Sequence, residues 1–256
     1  IAARQWANVL PADITQFKKS EITMKDLNKL MAEGLGTFYL CFAGIGSILY
    51  VSMNNSGGAG GPSGLLIIAL AHGLALSIGV AVTGGISGGH LNPAVTAGMW
   101  ITKRIESALA VKYVIAQLIG AAVAAYIVIS IYPGKVVDDN ETVGIPLPGS
   151  DISVATLLLA EFVMTFLLVT AVFSVAVDTR GKAVKIGAFV IGLTVAIDIM
   201  AGGAITGASM NPARSLGPAI ASMNFTGFWI YLLAPPLGAL LAVPAWRWIR
   251  LAKRDL

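Results

Sequence analysis

The chain has 256 residues, of which 56% are hydrophobic and only 12% are charged. Soluble domains contain about 45–50% apolar and about 25% charged residues, so this composition indicates a protein embedded in a lipid bilayer. A single cysteine excludes an intrachain disulfide framework. One cysteine and two histidines also offer few ligands for a Cys- or His-rich metal site. We therefore expect no cofactor and no metal, and a net charge of +4 gives little reason to expect a nucleic-acid partner.

Six stretches are long and apolar enough for a helix to cross a bilayer, which takes about 20 residues. They are residues 29–53, 64–84, 107–132, 154–177, 183–201 and 226–249. Small residues such as Gly120, Ala121 and Ala124 run through them, as in transmembrane helices that pack closely. The sequence thus predicts a membrane domain over 29–249, with tails at 1–28 and 250–256.

Two further segments, 85–101 and 203–220, are too apolar for surface loops and too short to cross the bilayer. Each has a glycine-rich entry followed by an Asn-Pro-Ala triplet and about ten helix-compatible residues, a length of about 15 Å. Asparagine is a good helix cap and proline suits the first helical position, so each triplet predicts the start of a half-helix. The triplets are Asn92-Pro93-Ala94 and Asn211-Pro212-Ala213. Two such half-helices end to end match a bilayer core of about 30 Å.

The two halves of the chain repeat each other. The pair Ala32-Glu33 recurs as Ala160-Glu161, and Ser87-Gly88 before the first triplet matches Thr206-Gly207 before the second. Each half, about 29–132 and 154–249, holds three spans, so the second half must enter the membrane from the opposite side. Inverted repeats place the functional site near the midplane. The predicted fold is an all-α membrane protein of six transmembrane helices plus two re-entrant half-helices.

Basic residues indicate the orientation of this fold. If both termini lie on one side, every lysine and arginine except Lys135 and Arg214 falls on that side. Basic residues concentrate on the cytoplasmic side, so we expect both termini in the cytoplasm. The sequence leaves open whether the membrane is the plasma membrane or a vacuolar one.

The sequence resembles the aquaporin (major intrinsic protein) family over residues 30–249. The resemblance rests on Ser87-Gly88-Gly89-His90-Leu91-Asn92-Pro93-Ala94-Val95-Thr96 and on Met210-Asn211-Pro212-Ala213-Arg214-Ser215. It implies a homotetramer in which each subunit holds one passive pore for water and similarly small uncharged solutes. Two helix amino-termini facing each other would place positive dipole ends at the pore centre and repel cations, including hydronium.

The resemblance also assigns residues to the pore. The selectivity filter is expected to be His72, Ile199, Ala208 and Arg214, which is similar to the filter of plant tonoplast intrinsic proteins. An aliphatic Ile199 in place of a polar histidine would widen the solute range to ammonia, urea or hydrogen peroxide. The family's mercury-reactive position corresponds to Ala208, so block by mercurials is not expected. A ladder of backbone carbonyls is expected at Gly88, Gly89, His90, Gly207, Ala208 and Ser209.

Three acids lie inside apolar spans, where ionisable residues are expensive and have partners. The resemblance implies that Glu33 and Glu161 support the re-entrant loops, with a proton relay as the weaker alternative. Asp198, beside Ile199, faces either loop backbone or an aqueous vestibule.

Three other functions stay open. A glycerol facilitator usually carries aspartate after the filter arginine, where this chain has Ser215; Tyr231 also fits the water branch, whereas Leu232 departs from it. A secondary transporter would need ion-coupling groups, for which only Glu33, Glu161 and Asp198 are candidates. A non-conducting junctional protein is the third. No nucleophile–base set is present, so we expect that the chain is not an enzyme.

Overall fold

The computed structural model describes residues 23–54, 61–138, 143–149, 151–178 and 186–251, and these ranges hold helices and loops only. The helices are α1 (Met24–Asn54), α2 (Gly61–Ser87), α3 (Pro93–Ile101), α4 (Ser107–Ile131), α5 (Gly134–Asp138), α6 (Val154–Val172), α7 (Gly187–Thr206), α8 (Pro212–Ser222) and α9 (Phe228–Leu251). Six of them, α1, α2, α4, α6, α7 and α9, are long and apolar enough to cross a membrane. The prediction of six spans and two half-helices, α3 and α8, is confirmed.

The helix ends differ from the predicted spans because hydropathy marks where a helix meets the bilayer and not where its hydrogen bonds stop. Helix α1 begins at Met24, one turn before the apolar stretch at 29. Helix α7 continues to Thr206, so residues 203–206 belong to this helix and not to the re-entrant loop. The last turn of the α6 span is a π-helix at Phe173–Val177. Residues 183–185 of the predicted fifth span lie outside the described residues.

The packing follows the inverted repeat. Helix α1 packs on α2 and α4, and in the same way α6 packs on α7 and α9. The half-helix α8 packs on α4 of the first repeat, while α3 packs on α9 of the second. Helices α2 and α7 meet each other, and α3 touches α8. Each half therefore completes the other, and the two half-helices meet between them.

Small residues make these close contacts possible. A Cβ added to Gly120 of α4 would lie 2.1 Å from the carbonyl oxygen of Gly34 on α1. A Cβ added to Gly192 of α7 would lie 2.1 Å from the carbonyl oxygen of Gly73 on α2. Transmembrane helices associate through such close backbone contacts, because in lipid the hydrophobic effect contributes little to the association of helices.

The outward faces of the long helices are apolar. On α2, Leu66, Leu70 and Leu74 are 39–47% exposed, and on α4, Ile115 and Ile119 are 51% and 59% exposed. Soluble monomers rarely expose contiguous apolar surface of this kind. The chain is an integral, multi-pass membrane protein, and buried polar side chains such as Glu33, Glu161 and Arg214 lie between its helices.

Candidate functional site

The site begins with the two asparagine caps. Asn92 has extended backbone before α3, and its Oδ1 accepts from the Ala94 N–H at 2.8 Å. Asn211 does the same before α8, accepting from the Ala213 N–H at 3.0 Å and the Arg214 N–H at 3.2 Å. Capping fixes both amides so that their Nδ2 groups point away from their own helices.

The amide nitrogens then link the two half-helices. Asn92 Nδ2 donates to the Met210 carbonyl at 2.9 Å, and Asn211 Nδ2 donates to the Leu91 carbonyl at 2.9 Å. An amide carries two N–H donors, so each asparagine keeps one donor for which the described residues offer no partner. Both side chains line the same central cavity. The structure thus brings the two triplets together with two free donors at one place.

The loop before α3 is held by Glu33, which is fully buried. Its Oε1 accepts from the Ser87 hydroxyl at 2.6 Å and the His90 N–H at 3.0 Å. Its Oε2 accepts from the Leu91 N–H at 2.8 Å and from Gln117 Nε2 at 2.7 Å. The Glu33 carboxylate thus accepts four hydrogen bonds, and these bonds hold the loop in place.

The loop before α8 is held in the same way by Glu161, also fully buried. Its oxygens accept from the Thr206 hydroxyl at 2.7 Å and from the N–H groups of Ser209 and Met210, both at 2.8 Å. The Tyr231 hydroxyl donates to the Thr206 carbonyl. Neither glutamate lines the central cavity, so their positions fit loop support and not a relay along the cavity.

The two loops present free carbonyl groups. Positive φ angles at Gly88, Gly89, Leu91, Gly207, Ala208 and Met210 turn the backbone away from helix geometry. Within the described ranges, the carbonyls of residues 88–90 and 207–209 accept no hydrogen bond. Gly89, His90, Ala208 and Ser209 line the cavity, whereas Gly88 and Gly207 are not among its lining residues. Irregular backbone at membrane depth is tolerated where it lines such a cavity.

Arg214 and His72 are in direct contact. Arg214 is 4% exposed; its Nη1 donates to the Gly144 carbonyl at 3.0 Å, and its Nη2 lies 3.1 Å from His72 Nε2. His72 Nδ1 lies 2.8 Å from the Ile68 carbonyl and must donate to it. Nε2 is therefore the acceptor, and the ring is neutral. Among the described residues no carboxylate pairs with Arg214, and its buried Nε has no partner.

Ile199 and Ala208 complete this part of the cavity, so all four predicted filter residues line it. The volume open to water along the cavity is about 20 Å³, and a single water needs about 10–15 Å³. The cavity thus has room for about one water molecule. One wall is polar backbone with the Asn amides, and the facing walls are apolar.

Comparison with known proteins agrees with this geometry. Residues 20–246 match the model of the family described as major intrinsic protein. The chain belongs to the major intrinsic protein family. Membership of this channel family confirms the prediction that the chain is not an enzyme.

Individual proteins to which the chain is similar include plant aquaporins. The chain is 39% identical to aquaporin TIP2-3 of Zea mays over 225 residues, 88% of each chain. It is 42% identical to a probable aquaporin TIP2-1 of Oryza sativa subsp. japonica over 214 residues, 83% of each chain. It also superposes on the X-ray structure of the aquaglyceroporin from Plasmodium falciparum with a TM-score of 0.73, at 26% identity, covering 86% of this chain and 94% of that one. The predicted resemblance to the TIP branch is confirmed.

Sequence reasoning missed the apolar walls of this aquaporin. They follow the filter positions at helical spacing: Leu76 and Val80 lie one and two turns after His72 on α2, and Val195 and Ile191 lie one and two turns before Ile199 on α7. Residues four apart share a helix face, so this spacing was the signal that could have found them.

The sequence patterns also did not identify Gly144 and Gln117 as residues of the site. Gly144 lies in a loop whose neighbours Val143 and Ile145 are 5% exposed, and this short apolar run inside a polar segment was the only sign. Gln117 bonds both Glu33 and the Thr96 hydroxyl, 3.1 Å away.

Two further residues, Asp198 and Cys41, do not line the central cavity. Asp198 is 3% exposed and is not among the cavity-lining residues, and its Oδ2 has no hydrogen-bond partner among the described residues. No hydrogen bond joins its carboxylate to loop backbone among the described residues, and its predicted place in a vestibule stays a prediction. Cys41 is 1% exposed on α1, away from the cavity lining.

Proposed function

We propose that the chain is a passive channel for water, with its filter formed by His72, Ile199, Ala208 and Arg214. One observation carries the proposal: Asn92 and Asn211 direct free amide donors into one narrow cavity between two helix amino-termini. A water molecule there would accept two hydrogen bonds on its oxygen. The free carbonyls of the two loops would accept from waters on either side.

This arrangement supports exclusion of protons and ions. A water held by both asparagines has its hydrogens pointing outward along the pore, so it cannot relay a proton across the centre. The amino-termini of α3 and α8 each add about half a positive charge where they meet. Arg214 adds a full charge that pairs with no carboxylate among the described residues, and positive ends of half-helices repel cations.

The filter chemistry supports a solute range of water with ammonia, urea or hydrogen peroxide. Both ring nitrogens of His72 are engaged, with Ile68 and Arg214, and Ile199 has no polar atom. A solute would therefore find donors mainly on Arg214 and acceptors on loop carbonyls. A cavity of about 20 Å³ favours small solutes, so glycerol conduction is the less favoured alternative.

Orientation and assembly belong to the same proposal. Lys25, Lys103 and Arg104 lie at the membrane face where α1 begins, and concentration of basic residues there supports cytoplasmic termini. A homotetramer is proposed by family resemblance. Native mass spectrometry of the purified protein would give four chains if it is right.

The direct test is stopped-flow shrinkage of proteoliposomes under an impermeant osmolyte, repeated with urea, glycerol and ammonia gradients. We expect water flux well above that of empty vesicles and independent of proton or sodium gradients. Flux that requires either gradient would make the protein a secondary transporter, and flux equal to that of empty vesicles would make it a non-conducting protein.

Filter variants test the residue assignment. Ala208→Phe should reduce water flux, and His72→Ala with Arg214→Val should admit larger solutes. Leu74→Phe is the matched control, because Leu74 is 47% exposed on the outward face of α2 near His72. If the filter variants match this control in flux and selectivity, the assignment is wrong.

A further inference from the structure

The linker between the two repeats reaches the filter end of the central cavity. Its residues 143–149, which we call the strap, lie between α4 and α6 and read Val-Gly-Ile-Pro-Leu-Pro-Gly. Residues 143–146 are buried, although they belong to no helix. Buried loops are unusual, because their backbone polar groups need partners. The contacts that the strap makes therefore indicate what it does.

One end of the strap holds the filter arginine. The Gly144 carbonyl accepts from Nη1 of Arg214 at 3.0 Å, and Nη2 lies 3.1 Å from His72 Nε2. These two bonds are the only ones that the described residues make to the guanidinium group, whose Nε has no partner. The strap thus supplies one of two acceptors, and a guanidinium group that loses one of them is free to swing about the other.

The rest of the strap is fixed to the second repeat. The Gly149 N–H donates to the Ile205 carbonyl at 2.9 Å, in the last turn of α7. Pro146 packs on Gly207, because a Cβ added to Gly207 would lie 2.6 Å from the Cα of Pro146. Gly207 belongs to the same loop as the filter residue Ala208. The strap therefore joins this loop to Arg214.

Pro146 also limits how the Gly144 carbonyl can turn. A proline ring fixes its own φ angle and restricts the residue before it, here Ile145, to extended conformations. On the other side, Gly144 has a φ of 82°, and a Cβ there would lie 3.0 Å from Ile45 on α1. The direction of the carbonyl is thus set by the proline and by the close approach of α1.

We propose that Pro146 is a positioning residue for selectivity, which holds the Gly144 carbonyl where it keeps Arg214 in the filter. The inference rests on the proposed function of the cavity as a water channel. With a loose strap, Arg214 keeps His72 as its one fixed acceptor, and the filter no longer has a fixed width. Larger uncharged solutes such as glycerol then pass together with water.

Stopped-flow measurement of water and glycerol permeability in proteoliposomes tests the proposal. Pro146→Gly should raise the ratio of glycerol to water permeability about threefold or more, because a hydrogen bond to a charged group stabilises its position by about a factor of ten or more. Pro146→Ala should give a smaller rise and serves if the glycine variant does not fold. The matched control is Pro133→Gly, since Pro133 is exposed in the same linker outside the strap; its ratio should equal that of the unmodified chain.

A second background separates positioning of Arg214 from a general loosening of the fold. In Arg214→Val no guanidinium group remains to be held, so adding Pro146→Gly should leave the permeability ratio unchanged. Equal ratios for the Pro146 and Pro133 variants, or a rise of the same size with and without Arg214, would overturn the proposal. Absence of water flux through the unmodified chain would instead contradict the proposed function, so the two failures can be told apart.

Discussion

Replacing Gly44 with alanine would displace the filter histidine without touching the pore directly. Gly44 lies on α1 and faces His72 on α2. A Cβ at this position would lie 2.4 Å from Nε2 of His72, 2.7 Å from Cδ2 and 2.8 Å from Cε1. Ordinary contacts between such atoms are about 3.5 Å or longer, so the ring must move by about 1 Å.

The direction of this movement is set by what holds the ring. Nδ1 is tied to the Ile68 carbonyl at 2.8 Å, and Nε2, the atom nearest the new methyl group, contacts Arg214 at 3.1 Å. The ring must therefore move away from α1, either crowding the cavity or losing Arg214. Losing a hydrogen bond to a charged group costs about 1.5–3 kcal/mol, offset by about 1 kcal/mol for replacing a helical glycine by alanine.

We expect Gly44→Ala to lower water flux severalfold in stopped-flow measurements and to lower thermal stability modestly. Gly46→Ala is the control on the same helix, because a Cβ at Gly46 meets only the Tyr132 hydroxyl, at 3.9 Å. It should keep full flux and equal or higher stability. If the two variants pass water equally, the His72 ring does not define the water path and the filter model fails.

Three further variants probe the buried polar groups. Glu161→Gln replaces one acceptor oxygen by a donor and leaves a buried N–H of the α8 loop unpaired, so thermal unfolding should show a loss of about 1–3 kcal/mol; Glu106→Gln, at an exposed site, should show none. Ala208→Cys should make water flux sensitive to mercurials and recoverable by thiols, whereas the unmodified chain, with Cys41 buried, should resist them. Asp198→Asn should raise stability by about 1 kcal/mol, because a carboxylate oxygen buried without a partner is costly.

Each of these three has an outcome that contradicts its reasoning. Equal stability of the Glu161 and Glu106 variants would mean that the carboxylate does not hold the loop. Mercurial inhibition of the unmodified chain would mean that Cys41 communicates with the pore. A large stability loss on replacing Asp198 would reveal a partner for its carboxylate.

Local sequence patterns predict much of the fold. Apolar stretches of about 20 residues predict spans wherever the solvent is lipid, since a helix is the simplest way to satisfy the backbone there. An Asn-Pro pair predicts a helix start because cap and proline act within one turn. The two half-helices, the inverted repeat and the buried acids Glu33 and Glu161 can accordingly be predicted from the sequence.

Contacts between distant elements were not visible. The Arg214 contacts with Gly144 and His72 join residues 70 and 142 positions apart. Nothing in the local sequence of either partner specifies the other. Those contacts depend on how closely α1, α2 and α4 approach one another. That approach depends on pairs such as Gly120 with Gly34, and no local sequence pattern shows that these two glycines meet.

The sequence by itself determined which segments cross the bilayer, which two turn back within it, and which side chains are chemically able to line a pore. Only the tertiary structure decided that the asparagine amides point at each other's loops, that Asp198 is left without a partner for one oxygen, and that Pro146 packs on Gly207. The reason is physical: hydropathy and capping act over a few residues, whereas the direction of a buried donor follows from the packing of the whole helix bundle.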